Sequence, residues 1–194
     1  MQKSAATHQR LHCAASLLLI ALLSLGTKST ANPVINEIFY HENDGAGPEN
    51  SLTEWIEIYN PSATGVDLSE WSFSQGITFT FPAGTVLPGT SYLVIAADPP
   101  SFNSIHPGTD TGGNILGPWV GRLRNSGENI TLVDQAGNRI DRVRYADEGD
   151  WAERRRGPSD NGHQGWTWTA NHDGEGASLE LINPALSNNQ GQNW

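Results

Sequence analysis

Cysteine and lysine are nearly absent from this 194-residue chain. Cys13 is the single cysteine, and Lys3 and Lys28 are the only lysines. A chain with one cysteine forms no internal disulfide, and beyond residue 31 it has no thiol nucleophile and no cysteine ligand for a metal. Its stability must therefore come from a packed core.

Residues 1–31 have the three-part pattern of a secretory signal peptide. A basic start precedes an apolar run over residues 14–25, and small residues lead to a cleavage point between Ala31 and Asn32. A membrane span needs about 20 apolar residues, so this run is too short for one. We therefore expect a secreted or extracytoplasmic protein, in the periplasm or at the cell surface, with no membrane span after cleavage and a single domain over residues 32–194.

Positive charge is also scarce. The chain has 21 acidic and 11 basic residues, a net charge of −10, and loss of the leader removes three basic residues and no acidic one. Such an acidic surface repels nucleic acid and anionic lipid, so no nucleic-acid partner is expected.

The later arginines form two groups. These are Arg139, Arg142 and Arg144 on one predicted strand, and Arg154, Arg155 and Arg156 in a run. One interpretation is that they neutralise nearby carboxylates as exposed ion pairs. The other is an anion-binding patch, because the planar guanidinium suits bidentate oxyanions.

Helical periodicity is missing after residue 31, so helix content should be very low. Short apolar or alternating runs between Gly- and Pro-rich turns predict strands instead, which favours an all-β sandwich or barrel. The predicted strands cover residues 34–40, 54–60, 71–73, 77–81, 92–97, 130–134, 139–145 and 178–182. Residues 98–121 and 151–176 are expected to be crossover or loop segments.

Alternation along these strands also predicts a core. One shared interior is expected for Ile56, Ile58, Val94, Leu132, Val143 and Leu181, with Trp71 closing one end.

Catalytic signatures are not legible in the sequence. The histidines after residue 31 fall at irregular spacing without an H-E-x-x-H pattern, and Ser126 does not lie in a G-x-S-x-G elbow. We expect no catalytic residues, no cofactor-binding residues and no enzyme activity from this segment.

Two oxygen-rich groups are weak candidates for calcium. The first is His41, Glu42, Asn43, Asp44 and Glu49; the second is Asp147, Glu148, Asp150, Asp160 and Asp173. Neither shows the spaced ligand pattern of a calcium loop, so solvated turns are the favoured interpretation and no metal site is predicted.

The aromatic residues raise a different question. Among seven tryptophans, Trp55, Trp71 and Trp119 read as core or core-edge residues. Trp166 and Trp168 alternate on one face of a Gly- and Asn-rich segment. They are the candidate interaction surface, with a sugar-stacking platform as one alternative.

Several blocks carry a family resemblance, and they cover residues 34–38, 54–71, 80–85, 92–94, 123–132, 137–138, 143–145, 178–184 and 193–194. In this order they resemble the lamin tail domain, an immunoglobulin-like β-sandwich. Residues 119–123, 145–151 and 183–186 are similar to the bacterial secreted version found upstream of kinase-like domains of the spore-coat-protein-H type. The resemblance implies an immunoglobulin-like antiparallel sandwich without a catalytic centre.

Three functions follow as hypotheses. The first is a non-catalytic secreted module that binds a protein or a cell-surface partner, within a larger extracytoplasmic protein. The second is an accessory domain severed from a secreted kinase-like or hydrolytic enzyme, and the third is a carbohydrate-binding module that recognises polysaccharide. Because the family's final strand is not seen after Trp194, an uncovered edge strand and self-association are also expected, unless Trp194 docks back on the sandwich.

Overall fold

A computed structural model describes residues 32–42 and 49–194 of the chain. The predicted leader and most of its cleavage site lie outside the described residues. No helix among the described residues has the length and apolar character needed to cross a membrane.

Short strands dominate the described residues. They are β1 (Val34–Phe39), β2 (Trp55–Tyr59), β3 (Val66–Asp67), β4 (Ser72–Gln75), β5 (Phe79–Thr80), β6 (Val86–Leu87), β7 (Tyr92–Ala96), β8 (Ile115–Leu116), β9 (Asn129–Val133), β10 (Arg139–Arg144), β11 (Glu153–Asp160), β12 (His163–Thr169) and β13 (Leu179–Glu180). One α-helix, α1 (Pro99–Ile105), and 3₁₀ turns at Ser51–Thr53, Gly149–Trp151 and Gly191–Asn193 complete the fold.

The strands form two main sheets. The first has the order β13-β1-β2-β7-β8 and the second β10-β9-β4-β5, while β3 pairs with β6 and β11 with β12. All pairs are antiparallel except β7 with β8. The predicted all-β sandwich is thus confirmed, with one parallel pair at a sheet edge as the exception.

The main core lies between the two sheets. Ile56 and Ile58 of the first sheet and Leu132 and Val143 of the second are fully buried in one cluster, and Trp71 packs against it. Removing alternate apolar side chains from water in this way is the dominant stabilising contribution of a sandwich.

Val94 was wrongly predicted to share this core. It is buried on the opposite face of β7, in a second cluster with Trp55, Ala96 and Phe102. Both faces of β7 are covered, so its residues are continuously apolar and do not show the alternation of a half-buried strand. Leu93 and Ile95 are the β7 residues that enter the main core. Leu181 is buried but joins neither cluster.

The cover on that second face is α1, within the segment predicted to be a loop. Asp98 caps it by accepting hydrogen bonds from the backbone N–H of Ser101 at 3.0 Å and from its hydroxyl at 2.7 Å. Pro99 and Pro100 occupy the first turn, where proline is tolerated. Phe102 then packs edge-on against Trp55 at 5.7 Å between ring centroids. A seven-residue helix is too short to show periodicity in the sequence.

The second segment predicted to be a loop contains the β11–β12 hairpin, so that prediction was also wrong. The chain end folds back onto the sandwich, as the alternative for Trp194 anticipated. The Trp194 ring lies 5.6 Å from that of Trp151, and its indole N–H donates to the carbonyl of Asn188 at 2.9 Å. Self-association through a sheet edge stays a prediction.

Candidate functional site

The β11–β12 hairpin is the most exposed regular element of the described chain. Its strands meet at Asn161-Gly162, whose φ angles of 49° and 83° are both positive. These are the angles of a type I′ turn, which Asn-Gly favours and which matches the twist of a hairpin. In β11 and β12 every residue except Gly157 is exposed.

Strand register gives the hairpin two chemically distinct faces. Arg154 pairs with Trp168 and Arg156 with Trp166, which places these four side chains on one face. We call this set the arginine–tryptophan face. The opposite face carries Glu153, Arg155, Thr167 and Thr169, because alternate residues of a strand point to opposite sides.

Guanidinium groups lie over the indole rings of the arginine–tryptophan face. The Arg156 guanidinium is 4.2 Å from the Trp166 ring centroid, and that of Arg154 is 4.6 Å from Trp166 and 5.5 Å from Trp168. Contacts within about 6 Å of a ring centroid are attractive through the ring quadrupole. The two arginines are therefore held in place by aromatic contacts.

Ion pairing differs between the two faces. Arg155 forms two hydrogen bonds with the carboxylate of Glu153, at 2.8 and 3.0 Å. Arg154 and Arg156 form no salt bridge with any residue in the described ranges. Two positive charges thus remain without a carboxylate partner there, on a chain whose net charge is −10.

A buried hydrogen-bond chain fixes the base of the hairpin to the sandwich. The Tyr40 hydroxyl lies 2.7 Å from Nδ1 of His172, and Nε2 of His172 lies 2.9 Å from the Trp151 carbonyl. A carbonyl only accepts, so Nε2 carries the proton and Nδ1 accepts from Tyr40. Burial lowers the pKa of His172, which favours the neutral ring.

A groove of about 540 Å³ runs beside this base. Arg154 and Trp168 line it on the hairpin side, and Glu180, Gln192 and Trp194 line it on the sandwich side. The groove is therefore lined both by residues of the arginine–tryptophan face and by β13 of the first sheet.

The first calcium candidate has mainly structural contacts. Glu42 accepts hydrogen bonds from the backbone N–H of Asn50 at 2.7 Å and the hydroxyl of Thr53 at 3.0 Å, while His41 contacts Asp173 at 2.7 Å. Asn43 and Asp44 lie outside the described residues.

The second candidate is dispersed. Asp173 contacts His41, Asp160 lies at the hairpin tip, and Asp147 and Glu148 line a small cavity beside Trp168. Within the described ranges, no three His, Cys, Asp or Glu side chains form a group suited to a metal.

The sequence located only half of this site. Trp55 and Trp119 are buried and Trp71 is half-buried as expected, whereas Trp166 and Trp168 are 48% and 51% exposed. The run of arginines was read separately from the tryptophans, because only strand register brings them together. The Asn161-Gly162 dipeptide was the missed signal, since it marks a hairpin between the two groups.

The comparison with known protein families covers the sandwich up to residue 147 and does not reach the hairpin. A family model of the lamin tail domain matches residues 26–147. The sequence matches no curated protein. The hairpin and β13 lie beyond the matched residues, so the match covers only the part of the sandwich that precedes them. The chain belongs to the lamin tail domain family, whose fold is a non-catalytic immunoglobulin-like β-sandwich.

Proposed function

We propose that this protein is a non-catalytic, extracytoplasmic binding module that uses the β11–β12 hairpin as its docking arm. The observation that carries the proposal is the exposure of Trp166 and Trp168 on an element that packs mainly on itself. Large exposed aromatics mark interaction surfaces, and an isolated two-stranded hairpin is at best marginally stable in water. A partner that covers the arginine–tryptophan face buries the two indoles and stabilises the hairpin.

A protein partner is better supported than a carbohydrate partner. Sugar recognition by stacking needs an open indole face, and Trp166 lies against two guanidinium groups instead. Tryptophan and arginine are among the residues most enriched at the hot spots of protein interfaces. The protein-binding form of the first hypothesis is therefore the one that we retain.

Retention of the exported protein on its producing cells tests the proposal. The double variant Trp166→Ala/Trp168→Ala removes both indoles, and we expect it to be released into the medium while the parent protein is retained. The matched control, Thr167→Ala/Thr169→Ala, truncates two side chains on the opposite face of the same strand and should be retained. Equal retention of all three proteins would overturn the docking role.

A further inference from the structure

The arginine–tryptophan face has the features of a site for an extended acidic peptide. We propose that it binds such a segment of a partner protein, with alternate carboxylates on Arg154 and Arg156. The inference rests on the proposed docking role of the hairpin and adds the chemistry of the partner.

Charge is the first argument. Arg154 and Arg156 have no ion-pair partner in the described part of the chain, whereas Arg155 on the other face is paired with Glu153. The ligand that complements the first face is therefore an anion. Because the whole domain is acidic, a long polyanion is repelled away from the hairpin, and the contact must be local.

Pre-organisation is the second argument. The guanidinium carbons of Arg154 and Arg156 lie 4.2 to 5.5 Å from the ring centroids of Trp166 and Trp168. Neither guanidinium donates a hydrogen bond to a residue in the described ranges, so its N–H groups are free for a ligand. A carboxylate bound there accepts two parallel hydrogen bonds, and the arginines lose little conformational freedom on binding.

Spacing is the third argument. Arg154 and Arg156 are two residues apart on one strand, which separates them by about 6.6–6.8 Å. An extended peptide presents alternate side chains at the same spacing, so acidic residues two positions apart match both arginines. In the described residues β11 pairs only with β12, and its other edge is available for the main-chain hydrogen bonds of strand addition.

Peptide binding to the purified protein tests this inference directly. The probe is a labelled peptide of alternating Glu and Thr. Its comparator repeats Glu-Glu-Thr-Thr, which has the same composition but no two Glu residues two positions apart. Fluorescence anisotropy at about 0.15 M ionic strength measures both affinities. We expect the alternating peptide to bind roughly tenfold more tightly, because only it places a carboxylate on each guanidinium.

Variants on the two faces separate a site from general electrostatics. Arg154→Gln/Arg156→Gln should weaken binding of the alternating peptide by about tenfold or more. Arg155→Gln removes a positive charge from the opposite face and should leave the affinity within about twofold. All three side chains are exposed, so we expect each variant to fold. Melting curves of the variants check this. A loss with Arg155→Gln equal to that of the double variant would contradict the proposed face.

The remaining outcomes distinguish other ligands. Tighter binding of a sulfated oligosaccharide than of the alternating peptide, or dimerisation that depends on Arg154 and Arg156, would replace the peptide with a glycan or a second copy. Absence of peptide binding, together with cell retention that still requires Trp166 and Trp168, would overturn only the acidic-peptide inference. Retention that is insensitive to the two tryptophans would overturn the docking role itself.

Discussion

At the scale of single residues, one buried and two half-buried carboxyl groups form no salt bridge with any residue in the described ranges. Glu54 is 2% exposed; its Oε2 accepts the backbone N–H of Leu123 at 2.8 Å, while its Oε1 has no hydrogen-bond partner among the described residues. Burial, with a further contribution from the charge of Glu49, raises the pKa of Glu54 to about 8. Burial likewise raises the pKa of Glu57 to about 7, and that of Glu37 beside it on β1.

These shifts predict that the fold loses stability as pH rises from 4.5 to about 8. The native pKa of Glu54 lies above its ordinary value of 4.5, so the native state binds the proton more tightly than the unfolded state. The resulting stability is fully present below pH 4.5 and is lost as pH rises to about 8. Glu54→Gln, which keeps an acceptor for Leu123, should flatten this dependence.

Chemical denaturation across that pH window provides the measurement. The midpoint of the parent protein should fall as pH increases, and that of Glu54→Gln should fall less. Two parallel pH profiles would show that the Glu54 carboxyl does not titrate between the two states.

The Tyr40 hydroxyl carries a second residue-scale prediction. Tyr40→Phe leaves Nδ1 of the buried His172 without its donor and should reduce the free energy of unfolding by about 1–3 kcal/mol. Tyr92→Phe is the matched control, since Tyr92 is half exposed. Urea denaturation compares the two; similar midpoints for both variants would contradict the role given to the Tyr40–His172 bond.

At the scale of elements, a close backbone contact joins two of the 3₁₀ turns. The 3₁₀ turn Gly191–Asn193 lies directly on the turn Gly149–Trp151. A Cβ at Gly191 would stand 2.5 Å from the carbonyl carbon of Asp150. This contact joins the chain end to the base of the hairpin, and it explains why only glycine fits there.

Gly191→Ala should therefore separate the two turns. We expect a loss of about 1–3 kcal/mol, the usual cost of overpacking, together with increased exposure of Trp194 to quenchers. Gly165→Ala on β12 is the control, because a Cβ there meets nothing within 4 Å. A melting temperature and a quenching profile equal to those of the control would show that the contact has no role in stability.

At the scale of the whole molecule, the predicted leader implies that the protein is exported. Mature protein recovered from periplasm or medium should begin at Asn32, because the small residues before it suit a signal peptidase. N-terminal sequencing checks this. Intact Met1 on soluble cytoplasmic protein would contradict export and remove the setting of the proposed docking function.

The sequence by itself determined the sandwich, most strand positions and the core alternation at Ile56 and Ile58, because a buried face imposes a period of two on the residues that form it. It also singled out Trp166 and Trp168. Only the tertiary structure decided that Val94 faces away from the main core and that the guanidinium groups of Arg154 and Arg156 lie over those indoles. The first depends on a covering helix and the second on the register of the hairpin, and neither leaves a periodic mark in the chain.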